Sequence, residues 1–359
     1  MSPWLRRLGP ADALWLCLPM AVGSAAARID DGLVFLLAAA ALVPLSRLFG
    51  LACAAAATRA GARAGGVVMA TLSFGPQLVL CTHALAAGRH GLVKSSITGA
   101  LLATLLLVMG LAFFAGGLRH RRQYFNREQA ELSATMMVLS IIALAVPALY
   151  GTFVPSVRNS GPVESLSEAV AATMLVVYAL ALYFALYWDA ESSSLARPSE
   201  SAPAWSLRQA LGLLAVAFTG LVWMGRLFVD RVDVVEASYG VSETFIGLVI
   251  VPLATNVASH LEGVEMAWRN RTDASLAVTL GAGIHIALFM APLLVFVSLL
   301  LGQPMDLIFA PLELVALAAA CGIATLVAHD GASHWLEGVL LIAVYAILAM
   351  AFWWVPAVG

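Results

Sequence analysis

Apolar residues run along this chain in long blocks, and short polar stretches punctuate them. Eleven apolar segments follow one another at roughly 11–27, 32–50, 64–87, 93–116, 131–153, 166–188, 206–228, 241–267, 273–301, 307–328 and 334–356. Most approach the roughly 20 residues that a helix needs to cross a bilayer. GALLATLLLVMGLAFFAGGL, residues 99–118, does not alternate apolar with polar as an outer-membrane strand would. The pattern predicts an all-α, polytopic membrane protein of about eleven transmembrane helices. The first segment has a second reading. Arg6 and Arg7, a short apolar stretch and then GSAAA follow the plan of a cleavable signal peptide, but the same residues suit an uncleaved first helix, which is the reading adopted here.

Two connections shape the organisation. RHRRQYFNRE (119–128) is strongly basic, and ESSSLARPSESAP (191–203) has the Ser and Pro content of a flexible linker. They divide the chain into an extra N-terminal helix (1–30), a five-helix unit (31–190), a cytoplasmic linker (191–204) and a second five-helix unit (205–359). If segments alternate across the membrane, one side collects Arg6, Arg7, Arg47, Arg59, Arg63, Arg119, Arg121, Arg122, Arg127, Arg197, Arg208, Arg269 and Arg271. The other receives only Arg28, Arg89, Lys94, Arg158, Arg226 and Arg231. The positive-inside rule then places the first side, with the N-terminus, in the cytoplasm and the C-terminus outside, with a bacterial inner membrane as the expected location.

Five helices repeated once must lie upside down relative to the first copy, an architecture common among transporters, whose sites sit near the midplane between the repeats. Polar knots fall at matching places in the two units: SFGPQ (73–77) and TNVASH (255–260). Each is followed by a Gly-studded polar helix, SSITGALLAT (95–104) and GAGIHIA (281–287). Polar groups at membrane depth are costly unless they line a pathway or tie helices together. In TNVASH, Asn256, Ser259 and His260 stand at i, i+3 and i+4 and share a face of a regular helix. Glu262 follows, and Pro252 frees a carbonyl one turn earlier. Oxygen ligands of this kind suit hard cations, and a nearby carboxylate could also carry protons. The alternative is packing glue for any one of these residues, and a solvated cytoplasmic rim for Glu262 and Glu265, which precede Arg269 and Arg271.

Composition sharpens the picture only in places. The chain is 62% hydrophobic and 11% charged, against about a quarter charged in soluble domains. Its mean hydropathy is +0.93. The net charge of −2 names no partner; the lipid bilayer is the expected one, and nucleic acid is not. Cys17, Cys53, Cys81 and Cys321 are scattered without a CxxC pair, as buried reduced thiols would be. P-loop, HExxH and GxSxG patterns are absent, so an enzyme is not expected. An intramembrane enzyme built on His260, His285 and Glu262 is the weaker reading.

FIGLVIVPLATNVASH (245–260) and LAVTLGAGIHIALFMAPLLVFVSLLLGQPMDLIF (276–309) closely resemble the second half of the calcium/proton exchangers, in the cation/calcium antiporter superfamily. VKSSITGALLATLLLVMGLAFFAGGLRHRRQYFNR (93–127) resembles their first half, and DGASHWLEGVLLIAVYAILAMAFW (330–353) their last helix. The resemblance implies one extra helix plus two inverted five-helix repeats. It also implies exchange of cytoplasmic Ca2+, or a related cation, for protons, with the ion as cargo and no resident cofactor. Each repeat of that family carries Gly-Asn-Ala-(Ala/Thr)-Glu, followed by His in the second, and the paired glutamates bind the cation and the competing protons. Here Asn256 and His260 match, Thr255 replaces the Gly, and Ser259 stands at the glutamate. The first copy is shortened to GPQ, with Gln77 at the glutamate, while Ser96, Thr98 and Gly99 are kept. Thr104 replaces a usual Asn and His285 a usual Gln.

Gln and Ser cannot ionise, so the resemblance leaves three expectations. A cation/proton antiporter could survive with relocated groups, Glu262 supplying the charge and His260 or His285 taking protons. The substrate could be different, such as a transition metal, since imidazole suits transition metals better than it suits Ca2+. The chain could also be a transport-inactive scaffold or regulatory relative. The candidate cation set is Gln77, Ser96, Thr98, Thr104, Asn256, Ser259, Glu262 and His285, and the proton pathway is His260 and Glu262. Glu337, in the last-helix WLEG, is read as structural. The ion and the oligomeric state are left open.

Overall fold

The computed structural model describes residues 10–27, 29–154, 161–187 and 203–355. Nearly all of the expected linker, 191–204, and both extreme termini lie outside the described residues. The chain folds as α1 (Ala13–Ala26), α2 (Asp31–Ala60), α3 (Arg63–Ala86), α4 (His90–His120), α5 (Arg127–Phe153), α6 (Gly161–Tyr187) and α7 (Leu207–Tyr239). After these come α8 (Glu243–Thr255 and Val257–Trp268), α9 (Thr272–Leu300), α10 (Pro311–Asp330) and α11 (Trp335–Trp353). Among the described residues, nine helices are long and apolar enough to span a membrane, and α8 is a tenth if its two halves, bent by 66°, count as one. The outer surfaces of the other helices carry side chains such as Leu180, Val216, Leu326 and Leu340, all exposed. Trp268 and Trp335 at one end and Trp353 and Trp354 at the other are also exposed, as the aromatic belts of a membrane protein are. This is an all-α, polytopic membrane fold.

Three features depart from the eleven even spans that hydropathy predicts. Helix α1 rises only about 21 Å at 1.5 Å per residue, short of the hydrocarbon thickness. Helix α8 is two half-helices. A two-stranded antiparallel ribbon, β1 (Arg122–Tyr124) on β2 (Ala332–His334), pairs Arg122 with His334 and Tyr124 with Ala332. Three-residue strands carry no periodicity to find in sequence, and the pairing spans more than two hundred residues.

Polar caps mark where helices stop. Asp30 accepts from Leu33 N–H at the start of α2, Asn126 from Gln129 at the start of α5, and Ser242 from Phe245 at the start of α8. Ser206 and Gln209 cap α7 reciprocally. Contacts then sort the loops into two ends. At the arginine-rich end, Gln123 Nε2 donates to Ala267 O (2.9 Å), His120 Nε2 to Trp268 O (3.1 Å) and Arg59 Nε to Trp205 O (3.1 Å), beside the ribbon. Glu337 stands here too, its N–H donating to His334 Nδ1. At the opposite end, Arg89 pairs with Asp233, Lys94 with Asp306 and Arg231 with Asp31. Helix α3 therefore runs away from the arginine-rich end, and α8 runs back towards it. Each is interrupted near mid-length, and each is followed by a helix with a wide π-helical turn, Ala103–Val108 in α4 and Ile286–Met290 in α9. Wide turns of this kind gather at functional sites.

Candidate functional site

The interruptions in α3 and α8 have local causes. In α3 the first half ends at Leu72 and the second begins at Gly75, with Ser73 and Phe74 between. Pro76 sits in the first turn of the second half, where its missing N–H costs nothing. Gly75 lies against α2 so closely that a Cβ there would stand 2.4 Å from the Phe49 ring. In α8 the break is at Asn256, whose φ of −107° and ψ of 18° lie in the sparsely allowed bridge region.

The two interruptions meet in the buried centre of the molecule. Gln77 is fully buried, and its Nε2 donates to Ser96 O and Ser96 Oγ, both at 3.0 Å. A carbonyl can only accept, so this fixes the Gln77 amide and presents Oε1 to Asn256, whose Nδ2 donates to it at 2.8 Å. One hydrogen bond thus links residues 179 positions apart across the two interrupted helices. Cys81 Sγ adds a longer contact to Ser96 Oγ at 3.6 Å. With Nδ2 committed to Gln77, Asn256 keeps Oδ1 as the oxygen it can offer elsewhere.

The other candidates spread around this crossing. Ser259 Oγ donates to Asn256 O (2.9 Å), so its proton is used within its own helix while its lone pairs are not. His260 Nε2 is buried without a hydrogen-bond partner, and so is Thr98 Oγ1 on α4. Thr104 Oγ1 donates back to Ala100 O (2.6 Å) at the wide turn, bending α4 rather than reaching the crossing. Glu262 is half-buried, six residues past Asn256 and so about 9 Å further towards the arginine-rich end. His285 is buried on the α9 side, where Tyr178 Oη lies 2.7 Å from its Nδ1 and the Phe74 ring packs at a 6.0 Å centroid distance. Among the described residues, no group of three or more His, Cys, Asp or Glu side chains could hold a metal ion. The donors at the crossing are neutral amide, hydroxyl and carbonyl oxygens.

One expectation needs correction. Asn256, Ser259 and His260 do not share a continuous helical face, because Asn256 sits in the break and turns its amide to Gln77. The carbonyl four residues before Pro252, that of Leu248, meets the backbone of α4. It abuts Gly99 on α4, where a Cβ would stand 2.1 Å from it. Tyr178 went unnoticed in the sequence. A lone tyrosine in an apolar helix carries no local signal, and its two partners lie on other helices.

The sodium/calcium exchanger protein family matches residues 32–187 and 209–354, which span both interrupted helices. A Ca2+/H+ antiporter of Aphanothece halophytica is 36% identical over 347 residues, covering 92% of each chain. The Ca2+/H+ antiporter ChaA of Bacillus subtilis is 31% identical over 340 residues, covering 93% of this chain and 96% of its own. Among solved structures, that of native YfkE superposes with a TM-score of 0.84 at 29% identity, over 96% of this chain and 100% of that one. In sequence and in fold, the chain belongs to the sodium/calcium exchanger protein family.

Proposed function

We propose that the protein is a cation/proton antiporter that exports a cation, with Ca2+ the favoured one, by alternating access to the Gln77–Asn256 crossing. The carrying observation is that hydrogen bond, which joins the two interrupted helices at full burial. The names of its relatives, Ca2+/H+ antiporters, support exchange of Ca2+ for protons. Residues 31–190 and 205–359 act as the two inverted repeats. The arginine-rich end faces the cytoplasm of a bacterial inner membrane, as the Lys and Arg bias favours.

Asn256 Oδ1, Ser259 Oγ and Thr98 Oγ1 offer oxygens to the cation. Glu262, on the path from the arginine-rich end, supplies the negative charge that a divalent ion needs to offset its desolvation. His260, with a buried ring nitrogen and no partner for it, takes the counter-transported proton. That same nitrogen favours a second reading, a softer transition metal as the cargo.

The test is cation-evoked proton release from inside-out vesicles under an acid-inside gradient, with Ca2+, Mn2+, Mg2+ and Na+ added in turn. Ca2+ evokes the largest release, and Glu262→Gln lowers it by about tenfold or more, as losing a charged partner does. Release with Mn2+ alone supports the second reading. Silence with every ion, from protein shown to be inserted, contradicts antiport and leaves a transport-inactive relative.

A further inference from the structure

Tyr178 is buried in α6, outside both interrupted helices, yet its hydroxyl touches both α3 and α9. It donates to Ala70 O at 2.8 Å and lies 2.7 Å from His285 Nδ1. A phenol has one proton. With that proton on Ala70 O, the hydroxyl oxygen accepts from His285 Nδ1–H, and one side chain bridges two helices. Ala70 is in the last turn of the first half of α3, where carbonyls run short of intrahelical donors. The bridge is made on the arginine-rich side of the α3 break, one turn before it. The ring is fixed independently of the hydroxyl, because it stacks on Phe289 at a 5.0 Å centroid distance and packs edge-on against His285 at 5.5 Å.

The start of this half-helix is pinned to α2, where a Cβ on Gly65 would stand 2.2 Å from Ala57 O, and the turns beyond it are lightly held. Among Arg63–Leu72, only Gly65, Gly66 and Ala70 are buried, and two of these have no side chain to pack. The Tyr178 bond therefore carries a large share of what ties Ala70 to the α9 side. We propose that Tyr178 is a positioning residue for exchange, a clasp that closes the cytoplasmic path by holding the first half of α3 to His285. Opening that path requires the Ala70 bond to break, and the ring stays on Phe289 as the fixed post. The proposal rests on the alternating-access reading above for its effect on transport, but the clasp itself is a structural claim.

Tyr178→Phe removes the hydroxyl and keeps the stacked ring, so the fold is retained. Tyr183→Phe on the same helix, exposed and stacked on Tyr187, is the control. Hydrogen exchange of the purified protein in nanodiscs reads the clasp without transport. Amides of residues 62–72 should exchange about fivefold faster in Tyr178→Phe, the worth of one typical hydrogen bond, and unchanged in Tyr183→Phe. In the vesicle assay, freeing the inward-open state should lower the apparent KM for Ca2+ on the cytoplasmic side about threefold and lower kcat with it. A merely structural lesion would reduce the rate with KM unchanged. Unaltered exchange at 62–72 overturns the clasp whatever the flux, and so does a fall in rate with KM unchanged. Faster exchange at 62–72 in a protein that moves no ion keeps the clasp and overturns the antiport reading instead.

Discussion

The first half of α3 and the first half of α8 occupy matching places in the two proposed repeats, and they are held very differently. Helix α8 starts on Ser242, which caps Phe245, and on Glu243, whose carboxylate accepts Leu92 N–H at 2.7 Å and faces Arg89 at 3.8 Å. It then runs backbone against backbone with α4. A Cβ on Gly99 would stand 2.1 Å from Leu248 O, and one on Gly247 would stand 2.0 Å from Ser95 Oγ. Close approach through small residues is how membrane helices gain packing where lipid offers no hydrophobic drive. The first half of α3 has one such contact at its start, where a Cβ on Gly65 would stand 2.2 Å from Ala57 O on α2, and it lacks the rest. It follows Gly61 at a φ of +85°, without a side-chain cap, and it leans on α2 and α6 with its far end clasped by Tyr178. One half-helix, at the end away from the arginines, is capped and packed along its length, and the other, at the arginine-rich end, is anchored at its start and lightly held beyond it. On the proposed alternating-access cycle, the second is the element expected to move.

The comparison breaks most severely at Gly99. Gly99→Val drives a branched side chain into the Leu248 backbone, which cannot yield without parting α4 from α8. The expected cost is about 3 kcal/mol or more, from overpacking with no flexible neighbour to absorb it. Gly212→Ala, with nothing within 4 Å, is the matched control and should leave thermal unfolding of the solubilised protein unchanged. Equal melting of the two variants would mean that α4 and α8 are not tightly apposed.

A smaller effect is expected at Glu243. Glu243→Gln keeps an oxygen for Leu92 N–H but loses the charge that favours the start of α4 and attracts Arg89. The side chain is a quarter exposed, so the loss is about 1 kcal/mol, seen as a modest fall in melting temperature. No fall would place the hold on α8 in its backbone packing with α4 alone.

Much of the fold was readable in the sequence because a bilayer forces each spanning helix to declare itself as a long apolar block. The polar knots were readable too, since SFGPQ and TNVASH are out of place in such blocks, but they read as polar sites and not as breaks in a helix. Gln77 and Asn256 were singled out separately, but their pairing was not foreseen, because a contact across 179 residues depends on how helices cross and not on local period. The same reason hid the Leu248 carbonyl. Pro252 announces a freed acceptor, yet only the approach of Gly99 decides where it goes. The bend of 66° in α8 was invisible because asparagine is compatible with helix and break alike.

The central claim is that the first half of α3 moves while the first half of α8 stays. Spin-label distances test it directly, from Val67→Cys and from Leu253→Cys, each to Leu139→Cys on α5. All three positions are exposed. Cys53, Cys81 and Cys321 are buried, and half-exposed Cys17 is replaced by Ser. Between Ca2+-free acid and Ca2+-loaded alkaline nanodiscs, the Val67–Leu139 distance should change by about 5 Å, the scale of one helical turn, and the Leu253–Leu139 distance by about 1 Å or less. Equal changes in both, or a larger change at Leu253, would contradict the account.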